Sequence, residues 1–185
     1  ATHEHLHQLQ TIIDLLDNGE EDAIRQYIGE IQGTRRTTAL NINTHNPVLD
    51  AILNQKYQWA SENGIKMQFQ INDLSEITLG LNELVVLFSN LFDNAIEACL
   101  KLPSDRAIHC HIVKDESLFV SIRNTSLPVE IVNGMIETTK EPKHEHGFGL
   151  PNIRHILNGL SAEFAYHFKD DWFHFVAEIP LESSK

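Results

Sequence analysis

The most informative segment of this sequence is Glu83-Leu-Val-Val-Leu-Phe-Ser-Asn-Leu-Phe-Asp-Asn-Ala-Ile-Glu-Ala98, which lies in a predicted helix over residues 81–100. Its polar residues Asn90, Asn94 and Glu97 fall on one helical face among apolar neighbours. A carboxamide oxygen can ligate Mg²⁺ without adding negative charge, and the cation can then bridge to polyphosphate oxygens. The segment therefore indicates a Mg²⁺ and polyphosphate site, although the two amides also fit ordinary polar residues at a helix edge.

A second segment, His146-Gly147-Phe148-Gly149-Leu150, leads directly into a helix predicted from about Pro151 to Asn158. Glycine lets the backbone approach a phosphate closely, and the free N–H groups at a helix start attract an anion. Two glycines in this spacing also occur in ordinary flexible turns. Their occurrence together with the asparagine helix favours phosphate binding.

These two segments carry a resemblance to a known superfamily. Asn90 to Ala95 resembles the N box, and Gly147 to Leu150 the second glycine box, of the GHKL ATPases. Within that superfamily, Asp93 to Ala98, Thr138 to Lys140 and His146 to Leu150 are most similar to the peptide quorum-sensor histidine kinases of the AgrC type. The similarity extends from Asn46 to Pro180. It implies a two-layer α/β sandwich of the GHKL (Bergerat) type that binds ATP and Mg²⁺.

The resemblance also implies roles for individual residues. Asn94 would be the Mg²⁺ ligand, and Asn90 would lie beside the nucleotide phosphates. Lys140, on a lid, would supply positive charge. The remaining expected contacts of the phosphates are His146, Gly147, Phe148, Gly149 and Leu150.

One segment departs from the usual histidine kinase pattern. After the strand predicted to end at Asn124, most histidine kinases have an Asp-x-Gly-x-Gly box whose aspartate holds the adenine amino group. Here the sequence is Asn124-Thr-Ser-Leu-Pro128, without the glycines. The AgrC-like branch also has Asn at this point, so Asn124 is the expected adenine contact. An amide oxygen accepts more weakly than a carboxylate, and modest ATP affinity is expected.

Residues 1–40 are predicted to form a helical hairpin. Two apolar stripes recur at helical spacing, on either side of a turn at Asp17-Asn-Gly19. Such a hairpin cannot bury its stripes alone, so we expect a homodimer that forms a four-helix bundle. The linker is predicted at Asn41 to Pro47. We therefore divide the chain into residues 1–46, for dimerisation and histidine phosphotransfer, and residues 47–185, the ATP-binding catalytic domain.

His3 is the candidate phosphoryl acceptor. It lies about 100° from the centre of the first apolar stripe and therefore faces solvent. Glu4 could orient the imidazole or take its proton. The segment resembles the phosphoacceptor motif of sensor kinases, with His7 where Asn or Thr is usual, which puts phosphatase activity in doubt. A metal site at His3 and His7, or plain exposed surface, are the alternatives.

The second part of the chain is predicted to be α+β. Residues 47–61 read as helix, 65–71 as a half-buried strand, and 107–113 with 118–124 and 163–168 with 172–179 as antiparallel hairpins. Residues 125–146 form a candidate lid. Helices are expected on one face of the sheet. We expect His109, His111 and His174 on the open face.

Composition excludes several classes of function. The 185 residues carry 14 basic and 26 acidic side chains, a net charge of −12, and no basic run. Nucleic acid is therefore not an expected partner. The longest aliphatic or aromatic run is Leu84 to Phe88, too short to span a bilayer, and no signal peptide is recognised. Two separate cysteines, Cys99 and Cys110, suit a reducing compartment.

The sequence thus predicts the cytoplasmic catalytic part of a bacterial membrane-bound sensor histidine kinase, whose sensor region lies outside this chain. It would bind Mg-ATP, autophosphorylate on His3 and pass the phosphoryl group to an aspartate of a response regulator. Three alternatives stay open: a phosphorelay phosphotransferase that does not use ATP, a GHKL kinase acting on serine, and a non-enzymatic dimerisation scaffold.

Overall fold

The computed structural model describes residues 35–37, 42–129, 131–132, 135–136 and 150–182. Three helices and eight strands occur in these ranges. The helices are α1 (Pro47–Glu62), α2 (Leu81–Leu100) and α3 (Leu150–Gly159). The strands are β1 (Arg35–Thr37), β2 (Lys66–Ile71), β3 (Ala107–Lys114), β4 (Ser117–Thr125), β5 (Ile131–Val132), β6 (Met135–Ile136), β7 (Glu163–Lys169) and β8 (Trp172–Pro180).

Six strands form one mixed sheet in the order β1-β2-β3-β4-β8-β7. Only the β2–β3 pair is parallel, and the other four pairs are antiparallel. Parallel neighbours need a long crossover, and α2 is the helix in that crossover. The helix that carries Asn90 and Asn94 is therefore fixed to the centre of the domain by the chain topology.

The helices cover one face of the sheet and form the core with it. Fully buried rings at this boundary include Phe69 of β2 and Phe88 and Phe92 of α2, and the rings of Phe69 and Phe92 lie 6.2 Å apart. Burial of these large apolar surfaces is the main force that holds the two layers together. The sequence prediction of a sheet with helices on one face is confirmed.

The carboxyl end of α2 is held by one arginine. Arg106 donates through Nε to the Leu102 carbonyl at 2.8 Å and through a terminal nitrogen to the Leu100 carbonyl at 3.2 Å. Its other terminal nitrogen donates to the Asn63 carbonyl, just beyond α1, at 2.9 Å. The last carbonyls of a helix lack partners within the helix and carry partial negative charge. A guanidinium there donates hydrogen bonds to these carbonyls and offsets their negative charge.

The segment predicted as a linker makes specific contacts with the sheet domain over residues 42–46. Ile42 is buried, and its N–H and carbonyl are both hydrogen-bonded to the Asn54 amide. The Asp50 carboxylate accepts from Thr44 N at 2.8 Å and Thr44 Oγ1 at 2.7 Å. Asn46 caps α1 by accepting from Leu49 N at 3.0 Å. The division of the chain at residue 46 stays a prediction.

Two predictions need correction. Residues 35–37, placed in the helical hairpin by the sequence, form β1 and pair with β2. The apolar stripe ends at Ile31, and the β-branched Thr37 suits a strand better than a helix. Residues 125–146, expected to be irregular, contain the short antiparallel pair β5–β6. Residues 1–34 and 38–40 of the predicted hairpin lie outside the described residues, as do residues 130, 133–134 and 137–146 of the lid.

The remaining elements agree with the sequence. The helix over 81–100 and both long strand hairpins lie where predicted, and α3 begins at Leu150, directly after the glycine segment. His111 and His174 face away from the helices as expected, but both are buried and not open to solvent. Within the ranges given above, no helix is long and apolar enough to cross a membrane.

Candidate functional site

Asn90 and Asn94 lie one turn apart on the exposed edge of α2. Both are half-buried, beside the buried Leu91 and Ala95. Within the described part of the chain, neither amide makes a side-chain hydrogen bond. A half-buried amide without an internal partner keeps its full capacity to bind something else. The structure therefore leaves both oxygens available to a ligand.

Asp93 lies between these two residues in sequence, but its carboxylate is already ion-paired and is therefore less available to a ligand. Its Oδ1 accepts from Lys56 Nζ of α1 at 2.6 Å. The Lys56 side chain is only 13% exposed and that of Asp93 36%. The pair ties α1 to α2 one residue from Asn94 and neutralises a carboxylate there. Sequence reasoning missed Lys56 because nothing in the sequence indicates which residue of α1 faces Asp93.

Asn124 occupies the end of β4 and faces the helices. It is 2% exposed, and its Nδ2 donates to the Thr125 carbonyl at 3.1 Å. That bond orients the amide, so Oδ1 is the atom left to accept from a ligand. Within residues 42–129 and 150–182, no hydrogen bond occupies this oxygen.

Thr125, which follows Asn124 on β4, contacts α2. Cys99 Sγ of α2 contacts the Thr125 carbonyl oxygen at 3.6 Å, and Thr125 Oγ1 accepts from Ala107 N at 3.0 Å. Burial raises the pKa of the Cys99 thiol, so it remains protonated and structural. The level of Cys99 is about 7 Å along the axis from that of Asn94. Asn124 therefore lies near the level of the carboxyl end of α2.

The described residues contain no group of three or more His, Cys, Asp and Glu side chains that could hold a metal ion. A cage of protein ligands is therefore absent from this part of the chain. Mg²⁺ bound with a polyphosphate keeps several of its waters and takes other ligands from the phosphates, so it needs few ligands from the protein. A single amide oxygen without a competing hydrogen bond, as at Asn94, fits that requirement.

Several predicted site residues lie outside the described ranges. These are His3, Glu4, Lys140, His146, Gly147, Phe148 and Gly149. Leu150 begins α3, and α3 packs against α2. The glycine segment therefore leads to a helix that lies beside the one carrying Asn90 and Asn94. The structure places Asn90 and Asn94 on one edge of α2 and Asn124 near the level of its carboxyl end, and the roles of the three residues stay predictions.

The profile of the GHKL domain family matches residues 79–180 of this chain. The sensor protein CitS of Bacillus subtilis (strain 168) is 28% identical to it over 170 residues. That alignment covers 87% of this chain but 31% of CitS, so the chain spans less than a third of that relative.

Solved structures of histidine kinases share the fold. The catalytic domain of ThkA, in a nucleotide-free form, has a TM-score of 0.59 at 18% identity, covering 81% of this chain and 97% of that one. AdeS of Acinetobacter baumannii has a TM-score of 0.58 at 12% identity, covering 97% and 79%. Full-length ShkA, solved with AMPPNP, has a TM-score of 0.58 at 14% identity, covering 82% and 32%. At these identities the similarity establishes the architecture.

Proposed function

Because this chain belongs to the GHKL domain family, we propose that it is the catalytic part of a two-component sensor histidine kinase that binds Mg-ATP in residues 47–185. The observation that carries the proposal is the pair of half-buried amides, Asn90 and Asn94 on α2, which have no side-chain hydrogen bonds among the residues that the structure describes. The similarity to the sensor protein CitS supports it.

The nucleotide would lie along α2. Its adenine would meet Asn124 Oδ1 near the carboxyl end of the helix, and its phosphates would lie at the level of Asn94 and Asn90, about 7 Å and 13 Å further along the axis. The amide of Asn124 accepts from the adenine amino group and would distinguish it from a base with a carbonyl at that position.

Charge is the main obstacle to ATP binding in a chain of net charge −12. Mg²⁺ bound at Asn94 would neutralise phosphate charge. Lys56 already pairs with Asp93 and so reduces the repulsion next to Asn94. Lys140 and the backbone from His146 to Leu150 would add positive charge and N–H donors, as the family resemblance implies.

Catalysis would then transfer the γ-phosphoryl group to His3. Attack by the imidazole nitrogen forms a P–N bond, breaks the bond between the γ-phosphorus and the bridging oxygen, and releases ADP. Glu4 would accept or orient the imidazole proton. The phosphoryl group would next pass to an aspartate of a response regulator. This transfer depends on positioning and charge neutralisation more than on other protein chemistry.

The protein would be a phosphoprotein and a homodimer through residues 1–40, and its motifs resemble quorum-sensing kinases of the AgrC type. The location would be the cytoplasmic side of a bacterial membrane, reached through a sensor region beyond this chain. CitS is a sensor protein of which this chain matches 31%, which is consistent with that arrangement.

Calorimetry with ATP, with and without Mg²⁺, tests nucleotide binding. Asn94→Ala should remove the Mg²⁺-dependent part of the affinity. Asn82→Ala is the matched control, because Asn82 is an exposed asparagine in the first turn of the same helix and should bind like the parent. Equal Mg²⁺ dependence in Asn94→Ala, or no binding of the parent at millimolar ATP, would refute the proposal. The second result would favour the phosphotransferase that does not use ATP.

A further inference from the structure

The peptide group between Thr125 and Ser126, at the end of β4, is hydrogen-bonded through both its N–H and its carbonyl. The N–H belongs to Ser126 and donates to the Asp171 carbonyl, in the turn between β7 and β8, at 2.9 Å. This peptide bond is trans, so its carbonyl points away from its N–H. The bond to the turn therefore directs the Thr125 carbonyl oxygen away from the turn, and there it accepts from Asn124 Nδ2 at 3.1 Å.

Cys99 of α2 lies against the same carbonyl. Its Sγ is 3.6 Å from the Thr125 carbonyl oxygen, 3.7 Å from Thr125 Oγ1 and 3.5 Å from the Ala107 carbonyl oxygen. Thr125 Oγ1 in turn accepts from Ala107 N at 3.0 Å. Burial raises the pKa of the Cys99 thiol, so its S–H remains a donor to these oxygens. The Thr125 carbonyl and hydroxyl are therefore both held by contacts with other elements.

The orientation of the Asn124 amide decides which chemical group this side chain can recognise. An amide has an acceptor oxygen at one end and a donor NH₂ of nearly the same size at the other. A half-turn about the last side-chain bond exchanges the two. A carboxylate has no such ambiguity, because both of its oxygens accept. An asparagine selects between a donating and an accepting ligand only if its surroundings hold the amide in one orientation.

We propose that Thr125 and Cys99 are positioning residues that hold the Asn124 amide with Oδ1 toward the bound base. In the reversed orientation Oδ1 would face the Thr125 carbonyl oxygen, and two acceptors would meet where Nδ2 now donates at 3.1 Å. At a position that is 2% exposed, water does not relieve such a contact, so the reversed orientation is unfavourable.

The orientation of the amide sets the class of base. With Oδ1 presented, the site favours a base with an exocyclic amino group, as in adenine, over a base with a carbonyl at that position, as in hypoxanthine. Release of the Thr125 carbonyl would let the amide turn and present Nδ2, which donates to such a carbonyl. This selectivity rests on the proposed function, whereas the orientation of the Asn124 amide is independent of it.

The two cysteines of the chain provide a matched pair of variants. Cys110 of β3 is as deeply buried as Cys99. Within the part of the chain that the structure describes, however, the Cys110 thiol makes no hydrogen bond. Alanine at either position removes one buried sulfur and leaves a similar cavity, so both variants should lose stability. Only Cys99→Ala also removes a contact of the Thr125 carbonyl.

NMR of the full chain, labelled with ¹⁵N at asparagine, tests the orientation without nucleotide. The signals of Asn124 Nδ2 are those absent from Asn124→Leu. The hydrogen donated to the Thr125 carbonyl should exchange with solvent about fivefold faster in Cys99→Ala and in Thr125→Val, which loses the hydroxyl. Cys110→Ala, and Thr125→Ser, which keeps the hydroxyl, should exchange like the parent. Cys99→Ala and Thr125→Val are independent, so either suffices if the other does not fold.

Competition calorimetry with Mg-ATP and Mg-ITP then measures the selectivity. Cys99→Ala and Thr125→Val should lower the preference for ATP over ITP by about three- to tenfold, and Thr125→Ser and Cys110→Ala should keep it. A purely structural role would weaken both nucleotides together and leave their ratio unchanged.

An unchanged ratio in Cys99→Ala and Thr125→Val would overturn the proposal, and so would an equal change in Cys110→Ala. Unchanged exchange at Asn124 Nδ2 in both variants would overturn it as well. If the parent binds neither nucleotide while the exchange rates change as expected, the proposed function is refuted and the orientation of the amide by Thr125 is supported.

Discussion

Lys56 and Asp93 join the two long helices by an ion pair of 2.6 Å, directly beside the asparagine that we propose as the Mg²⁺ ligand. The Lys56 ammonium also lies 5.7 Å from the centroid of the Trp59 ring. The pair thus has two separable effects. It holds α1 against α2, and it cancels a negative charge close to the proposed phosphate position.

The two effects predict different results for the two single variants. Lys56→Met should lower stability to unfolding and also lower ATP affinity, roughly two- to fivefold, because Asp93 is left as an uncompensated charge near the phosphates. Asp93→Asn should lower stability but raise ATP affinity by a similar factor, because it leaves the Lys56 ammonium as an uncompensated positive charge near the phosphates. Urea denaturation and calorimetry measure the two quantities.

The double variant is the control. Adding Asp93→Asn to Lys56→Met should restore most of the ATP affinity, and a double-mutant cycle on stability should give a coupling of about 1 kcal/mol. If Lys56→Met binds ATP as tightly as the parent, Lys56 does not support ATP binding by neutralising Asp93. A loss of stability in that variant would then show only the structural role of Lys56.

Asn124→Leu should reduce affinity for ATP about tenfold while affinity for ITP changes little, because hypoxanthine has a carbonyl where adenine has its amino group. The parent should prefer ATP, and the variant should lose that preference. Competition calorimetry with both nucleotides measures the ratio. A preserved preference for ATP would remove Asn124 from the adenine site.

How far the sequence predicts this structure depends on whether a contact is local. Helix α2 was predicted with its full length because its apolar residues recur at helical spacing over twenty positions, and strand alternation located both hairpins. The pairing of Lys56 with Asp93 was not predictable, since the residues are 37 positions apart and meet only after α1 packs on α2.

The face of the sheet that points away from the helices shows a second limit. Alternation correctly placed His111 and His174 on the side away from the helices, because side chains alternate along a strand. It gave no information on whether that side is covered, and both residues are buried. The asparagines, in contrast, were recognisable from sequence because two amides on an apolar helix are chemically conspicuous.

Tyr166 makes stability sensitive to alkaline pH. Burial raises the pKa of its hydroxyl to about 12, partly offset by Arg154. The folded state therefore favours the neutral phenol, and this stabilisation is complete below pH 10, the usual pKa, and is lost as the pH rises toward 12. The loss should approach about 1.4 kcal/mol per pH unit.

Tyr166→Phe should remove the part of the decrease in unfolding free energy above pH 10 that comes from this phenol. Tyr57→Phe, at a half-buried position on α1, should show the same decrease as the parent. Urea denaturation at several values between pH 8 and pH 11.5 gives the comparison. Parallel pH profiles for the parent and Tyr166→Phe would show that the phenol of Tyr166 does not titrate differently in the folded and unfolded states.

The acceptor histidine can be tested apart from nucleotide binding. His3→Gln should abolish incorporation of phosphate from γ-labelled ATP into acid-labile, base-stable form, because the amide cannot act as the nucleophile. ATP affinity should be unchanged, since His3 belongs to the predicted hairpin and not to residues 47–185. His5→Gln and His7→Gln are matched controls in the same cluster and should still be labelled. Label retained in His3→Gln but lost in either control would move the acceptor to that residue, whereas label retained in all three variants would place it outside the cluster.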